Sequence, residues 1–234
     1  MTTRWDSVTV DGETMRCYVA VPAGEGPFPA VVVIQHASGV DDFTQEMAGR
    51  FAAAGYVAIA PELYHRQDPE SGEDPLTRMG RLRDVEVVRD VNAAIDHAGR
   101  LDEVAPDRIG IAGFCMGGRV SYLMATHLPS LRAAVVFYGG NIMVPWGEGP
   151  APFDRTERIA CSLLGLFGEQ DTNPSPADVA KIDAELTRLG KQHEFHTYAG
   201  VGHAFMSAAR PGYRQDVADD AWGKCLGWLQ PHLS

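Results

Sequence analysis

A chain of 234 residues, 45% hydrophobic and 22% charged, is long enough to bury a full core and fits one α/β domain spanning 1–234. Twenty Lys and Arg against 31 Asp and Glu leave a net charge of −11 with no basic run, which argues against a nucleic-acid partner. The polar opening MTTRWDSVTVDGE, the lack of any stretch near the roughly 20 apolar residues of a membrane span, and four widely spaced cysteines without a CxxC point to a cytoplasmic chain with reduced thiols and no disulfide framework, structural metal or membrane partner.

In chain order, SVTVDGETMRCYVAVP alternates apolar and polar residues around Asp11-Gly12 and predicts an antiparallel hairpin. PAVVVIQ (29–35) is continuously apolar and β-branched, as a strand covered on both faces should be. DDFTQEMAGRFAAAG has helical spacing and closes on Gly55, and YVAIAP is a short buried strand stopped by Pro61. The rhythm continues through a charged helix around 80–98, the strand RIGIAGF, a helix after Cys115, the strands RAAVVFYGG and CSLLGLFG, the helix PADVAKIDAELTRLG, the strand HEFHTYAG and a last helix over YRQDVADDAWGKCLGWL. Strands alternating with helices imply a mostly parallel sheet wrapped on both faces. Two stretches rich in Pro, Gly and charge, 64–80 and 141–158, follow strand ends and are expected to wall a pocket.

IGIAGFCMGG places Cys115 between a strand and a helix with glycines at 113, 117 and 118. That is the pattern of a nucleophile elbow, in which a sharp turn lifts the side chain above the sheet and the following helix N-terminus favours thiolate. A dinucleotide-binding turn fits less well, because the glycines are not spaced G-x-G-x-x-G and no acidic residue ends the next strand. A thiol nucleophile needs a base, and His203 stands in the glycine-flanked YAGVGHAFM loop after the last strand, where chain order in this architecture puts the triad histidine. The other histidines are expected at the surface or in caps, with His36 the exception. The orienting acid belongs between nucleophile and base, in GLFGEQDTNPSP; Asp171 is preferred to Glu169 because it lies deeper in the loop. Position alone suggests the backbone N–H groups of Met116 and Ala37 as oxyanion donors.

With elbow, acid loop and histidine loop in place, the chain resembles the dienelactone hydrolase family, cysteine-dependent members of the α/β-hydrolase fold. The stretches that carry the likeness are VVVIQHASGVDDF, GYVAIAPELYHRQ, GFCMGG, FGEQDTNPSP and YAGVGHAFM. The resemblance implies nucleophile Cys115, base His203, acid Asp171 and donors at Met116 and Ala37. It implies hydrolysis of a small-molecule lactone or ester through a thioester, without metal or organic cofactor; the chain is expected to be a monomer or homodimer. The competing class is a non-catalytic small-molecule binder on the same fold.

Two departures bear on the site. The best-known members carry glutamate where His36 stands, so His36 is a candidate thiol partner, with a loop histidine shaping the oxyanion turn as the other reading. Members that cleave dienelactones hold the substrate carboxylate with arginines, one of them where Ser207 stands here. Arg78, Arg81 and Arg83, without a residue-level match, and the nearby Arg210 are therefore candidates for substrate binding, alongside Tyr138, Trp146 and Phe205.

Overall fold

The computed structural model describes residues 1–234. One eight-stranded sheet runs through the molecule in the order β1-β2-β4-β3-β5-β6-β7-β8. β1 (Thr2–Val10) and β2 (Glu13–Val21) form the antiparallel hairpin, and Asp11 and Gly12 both adopt positive φ, 52° and 85°, as a two-residue turn matched to strand twist requires. β2 pairs antiparallel with β4 (Val57–Pro61); from there β3 (Phe28–Ile34), β5 (Val104–Phe114), β6 (Ala133–Phe137), β7 (Ser162–Gly168) and β8 (His193–Tyr198) all run parallel.

Alternation along the strands feeds two cores. Ala30, Val32, Ile34, Ile111 and Val136 point to one face, where α3 (Asp84–Ala98), α4 (Met116–Ala125) and α5 (Pro176–Arg188) cover them with Val87, Val91, Val120, Leu123, Ile182 and Leu186. Val31, Val33, Ala112, Phe114 and Val135 point to the other, under α1 (Asp42–Ala53) and α6 (Gln215–Leu233) with Met47, Phe51, Ala221, Cys225 and Leu229. No helix is long and apolar enough to cross a membrane. Cys17, Cys161 and Cys225 are buried free thiols.

The chain winds outward from β3 to β4 and then crosses back to β5, so strand order reverses between β3 and β5. Ligand crevices open at such a switch, beyond the carboxyl ends of the strands. The turns after β3, β5, β6, β7 and β8 all rise at that end.

Three local expectations are corrected. The 64–80 stretch is not all loop: Asp74 accepts from Leu76 N and Thr77 N and, with Pro75 at the first turn, starts the short helix α2 (Pro75–Gly80). The following helix begins at Asp84 rather than near 80, because Arg83 is extended and Asp84 N donates to Trp146 O at 2.8 Å. The last helix runs past Leu229 to Leu233, with Pro231 in its final turn, and Leu233 is buried against the sheet.

Candidate active site

Cys115 sits at a sharp turn between β5 and α4. Its φ is 58° and ψ −120°, a conformation that non-glycine residues hold only when their surroundings impose it. The surroundings are backbone. A Cβ on Gly113 would lie 2.0 Å from Gly117 O, one on Gly117 2.3 Å from Ile34 O, and one on Gly118 2.7 Å from Phe137 O. Helix α4 can therefore start directly over the ends of β3, β5 and β6. Cys115 N donates to Phe137 O at 3.0 Å, and Met116 opens the helix, where N–H groups lack intrahelical partners.

A cavity of about 430 Å³ opens above the turn, lined by Cys115, Met116, Ala37, Tyr138, Asp171 and His203 among others. Asp171, 4% exposed, accepts from Asn173 N at 2.9 Å through Oδ1 and from His203 Nδ1 at 2.7 Å through Oδ2. With Nδ1–H committed to the carboxylate, Nε2 is the nitrogen left for chemistry. Burial works against a charged ring. The Asp171 hydrogen bond, the neighbouring Cys115 sulfur and the charges of both outweigh it, and His203 is pushed up from 6.5 to about 10. The Cys115 sulfur lies close enough to the ring to favour its protonated form, and such contacts often tighten further around substrate. Glu169 instead accepts from Gly200 N at 3.0 Å and stays outside the cavity.

Tyr64 joins the two suggested oxyanion residues. Its buried hydroxyl donates to Ala37 O at 2.9 Å and lies 3.3 Å from Met116 Sδ. Burial pushes its phenol up, partly opposed by Arg78. The tyrosine stands within the PELYHRQ stretch, but sequence alone assigns it no role.

The family-model comparison matches residues 15–233 to the dienelactone hydrolase family. The chain belongs to the dienelactone hydrolase family. A Synechocystis protein named "Putative carboxymethylenebutenolidase" is 36% identical over 97% of this chain and 96% of its own. A Bradyrhizobium protein named "Probable 2-oxo-3-(5-oxofuran-2-ylidene)propanoate lactonase" is 31% identical over 98% and 94%. A Klebsiella pneumoniae crystal structure titled "Putative Dienelactone Hydrolase" superposes with a TM-score of 0.89 at 33% identity, covering 98% of both chains. The protein is thus an enzyme, a hydrolase, with the α/β-hydrolase fold.

Within this family member several expected residues stand elsewhere. His36 lines the cavity, but its Nε2–H donates to Asp41 Oδ2 at 2.8 Å and its ring meets Phe43 edge-on; it makes no hydrogen bond with Cys115. Asp41 also caps α1 by accepting from Thr44 N, so the pair anchors the turn after β3. This arrangement favours the other reading, a loop histidine shaping the turn, while His36 still shares the cavity with Cys115. Arg78 lies over the Tyr64 ring and Arg81 pairs with Glu73; neither lines the cavity. Phe205 is corrected, being fully buried beneath Tyr138 with ring centroids 5.0 Å apart. Tyr138, Trp146 and Arg210 do line the cavity, as does Ser207. His65, expected at the surface, has a buried side chain beside Asp90. No three His, Cys, Asp or Glu side chains gather in a metal-holding group.

Proposed function

We propose that this enzyme hydrolyses a lactone or small carboxylic ester through a Cys115-His203-Asp171 triad and a thioester acyl-enzyme. The observation that carries this reading is the Asp171–His203 hydrogen bond of 2.7 Å in the same cavity as a cysteine held in a strained elbow. Asp171 and the neighbouring sulfur favour the protonated form of His203, which suits the ring to take up the Cys115 proton as the sulfur attacks. The relatives' names point to lactones, and the cavity of about 430 Å³ suits a small substrate.

The sulfur attacks the carbonyl carbon, and the developing oxyanion meets the N–H groups of Met116 and Ala37. Collapse breaks the carbon–oxygen bond of the ester, and the departing alkoxide or enolate takes the proton from His203. The neutral imidazole then accepts a proton from water as that water attacks the thioester, and the carboxylic acid leaves as the sulfur recovers its proton from the ring. Asp171 holds the ring in one tautomer throughout. Mixing with an activated aryl ester is expected to release a burst of alcohol equal to the enzyme present, with the acyl mass on the peptide containing Cys115. Absence of both burst and turnover would remove the hydrolase reading.

Arg210 is the one arginine lining the cavity and has no carboxylate partner. It is the cation available to an anionic group of the substrate. Arg210→Gln is expected to raise KM about fivefold for a lactone bearing a carboxylate while leaving a neutral ester unchanged, since an exposed charge-assisted contact contributes on the order of 1 kcal/mol. Equal KM values for the two proteins on both substrates would show that Arg210 makes no such contact.

A further inference from the structure

Arg119 is a fully buried charge that the triad does not use. It lies on the first turn of α4, one turn beyond Cys115. Its guanidinium grips Asp84 with both ends, at 2.6 and 3.0 Å, so the cost of burying it is offset by a forked ion pair. The remaining donors leave that pair and reach the cavity wall: Nε donates to Asn141 O at 3.1 Å and one terminal nitrogen to Val144 O at 2.7 Å, while the planar group lies 3.8 Å from the Trp146 ring. Asp84 holds the same segment from the other side by accepting from Trp146 N at 3.0 Å.

The chain of contacts continues. Asn141, at φ 57°, exchanges two hydrogen bonds with Asn173: its N–H donates to Asn173 Oδ1 at 2.9 Å, and Asn173 Nδ2 donates to Asn141 Oδ1 at 3.1 Å. The backbones are pressed together here, for a Cβ on Gly140 would stand 2.7 Å from Asn173 O. Asn173 N then donates to Asp171 Oδ1. A buried ion pair between α3 and α4 is thereby joined, through the 141–146 segment, to the carboxylate that steadies His203.

We infer that Arg119 is a positioning residue: anchored by Asp84, it fixes the 141–146 segment and, through Asn141 and Asn173, sets where Asp171 meets His203. The inference rests on the triad reading for its catalytic consequence, but its geometry can be read without turnover. Lysine would keep the charge beside Asp84 yet lack the fork that serves Asp84, Asn141 and Val144 together.

The test is a double-mutant cycle of Arg119→Lys and Asn173→Ala, read as the rate of iodoacetamide alkylation of Cys115 at pH 7 and, separately, as kcat and KM on an aryl ester. Cys115→Ala supplies the background from the three buried thiols, and near-ultraviolet circular dichroism confirms folding. Each single variant is expected to slow alkylation and lower kcat roughly fivefold. The double variant is expected to be no slower than the slower single, because both cuts sever one path. Rates that multiply in the double variant overturn the inference, as does a folded Arg119→Lys protein that alkylates like the parent. If Arg119→Lys does not fold, Asp84→Asn takes its place in the cycle with the same expected coupling. Coupled alkylation in a parent without ester turnover would leave the network standing and remove the hydrolase reading; turnover with uncoupled alkylation would do the reverse.

Discussion

Cys115→Ala is expected to abolish the burst and to lower kcat on an activated ester by about 10⁴-fold or more, because removing a nucleophile that acts as a unit with its base leaves only the oxyanion donors and binding. The cavity, the Asp171–His203 bond and the fold should survive, since the side chain is only partly buried and alanine is the smaller residue. A second signature separates loss of the nucleophile from loss of structure. Burial opposes a charged His203, while Asp171 and the sulfur raise it to about 10 in the parent. The folded state therefore binds this proton more tightly than the unfolded chain, whose value is near 6.5; the stability gained is fully present below that value and is lost as pH climbs through about 10. Without the sulfur the folded value falls, so the contribution is smaller and its loss, which still begins near 6.5, is complete at lower pH. An NMR titration of His203 reads this directly. A Cys115→Ala protein that retains the burst, or an unchanged His203 titration, would show that the sulfur is not the imidazole's working partner.

Much of this arrangement is legible in residue order. Runs without charged or polar side chains at 30–34 and 109–114 become the central parallel strands because both of their faces are covered by helices. Asp11-Gly12 specifies its turn because both positions need positive φ. The glycines around Cys115 mark the elbow for the same kind of reason: each occupies a point where backbone meets backbone. Such signals are local, and local sequence carries them.

What stays hidden depends on which way side chains turn at loop ends and on contacts across long separations. Nothing in the spacing of Arg78 or Arg81 says that one lies over Tyr64 and the other pairs with Glu73 rather than facing the cavity. Phe205 and Tyr138 are both aromatic and both near the base, yet the first packs underneath the second. Asn141 and Asn173 stand 32 residues apart, and their reciprocal bonds exist only because β6 and β7 are neighbours. In the sequence Asp84 is one more charge in a polar helix; its role follows from Arg119, reached only once α3 and α4 pack side by side.

Gly113→Ala is expected to be the most damaging single-methyl change in the protein. The added Cβ would stand 2.0 Å from Gly117 O, 2.2 Å from Gly117 C and 2.8 Å from Ser121 Oγ. Two of those atoms are backbone at the start of α4, so no rotamer change relieves the overlap; the helix must move away from the strand, taking Cys115 and the Met116 N–H with it. Close-packed interiors answer such insertions with losses at the top of the single-mutation range, more than about 4 kcal/mol, or with failure to accumulate folded protein. Gly223→Ala is the matched control. It lies inside α6 with nothing within 4 Å of where the new methyl would stand and no positive φ, and alanine there should stabilise by up to about 1 kcal/mol through helix propensity. Urea midpoints of the two variants should therefore move in opposite directions, and any folded Gly113→Ala protein should have lost Cys115 alkylation at neutral pH. Parent-like midpoint and alkylation in that variant would mean that the close approach of Gly113 to Gly117 is not what holds the nucleophile in place.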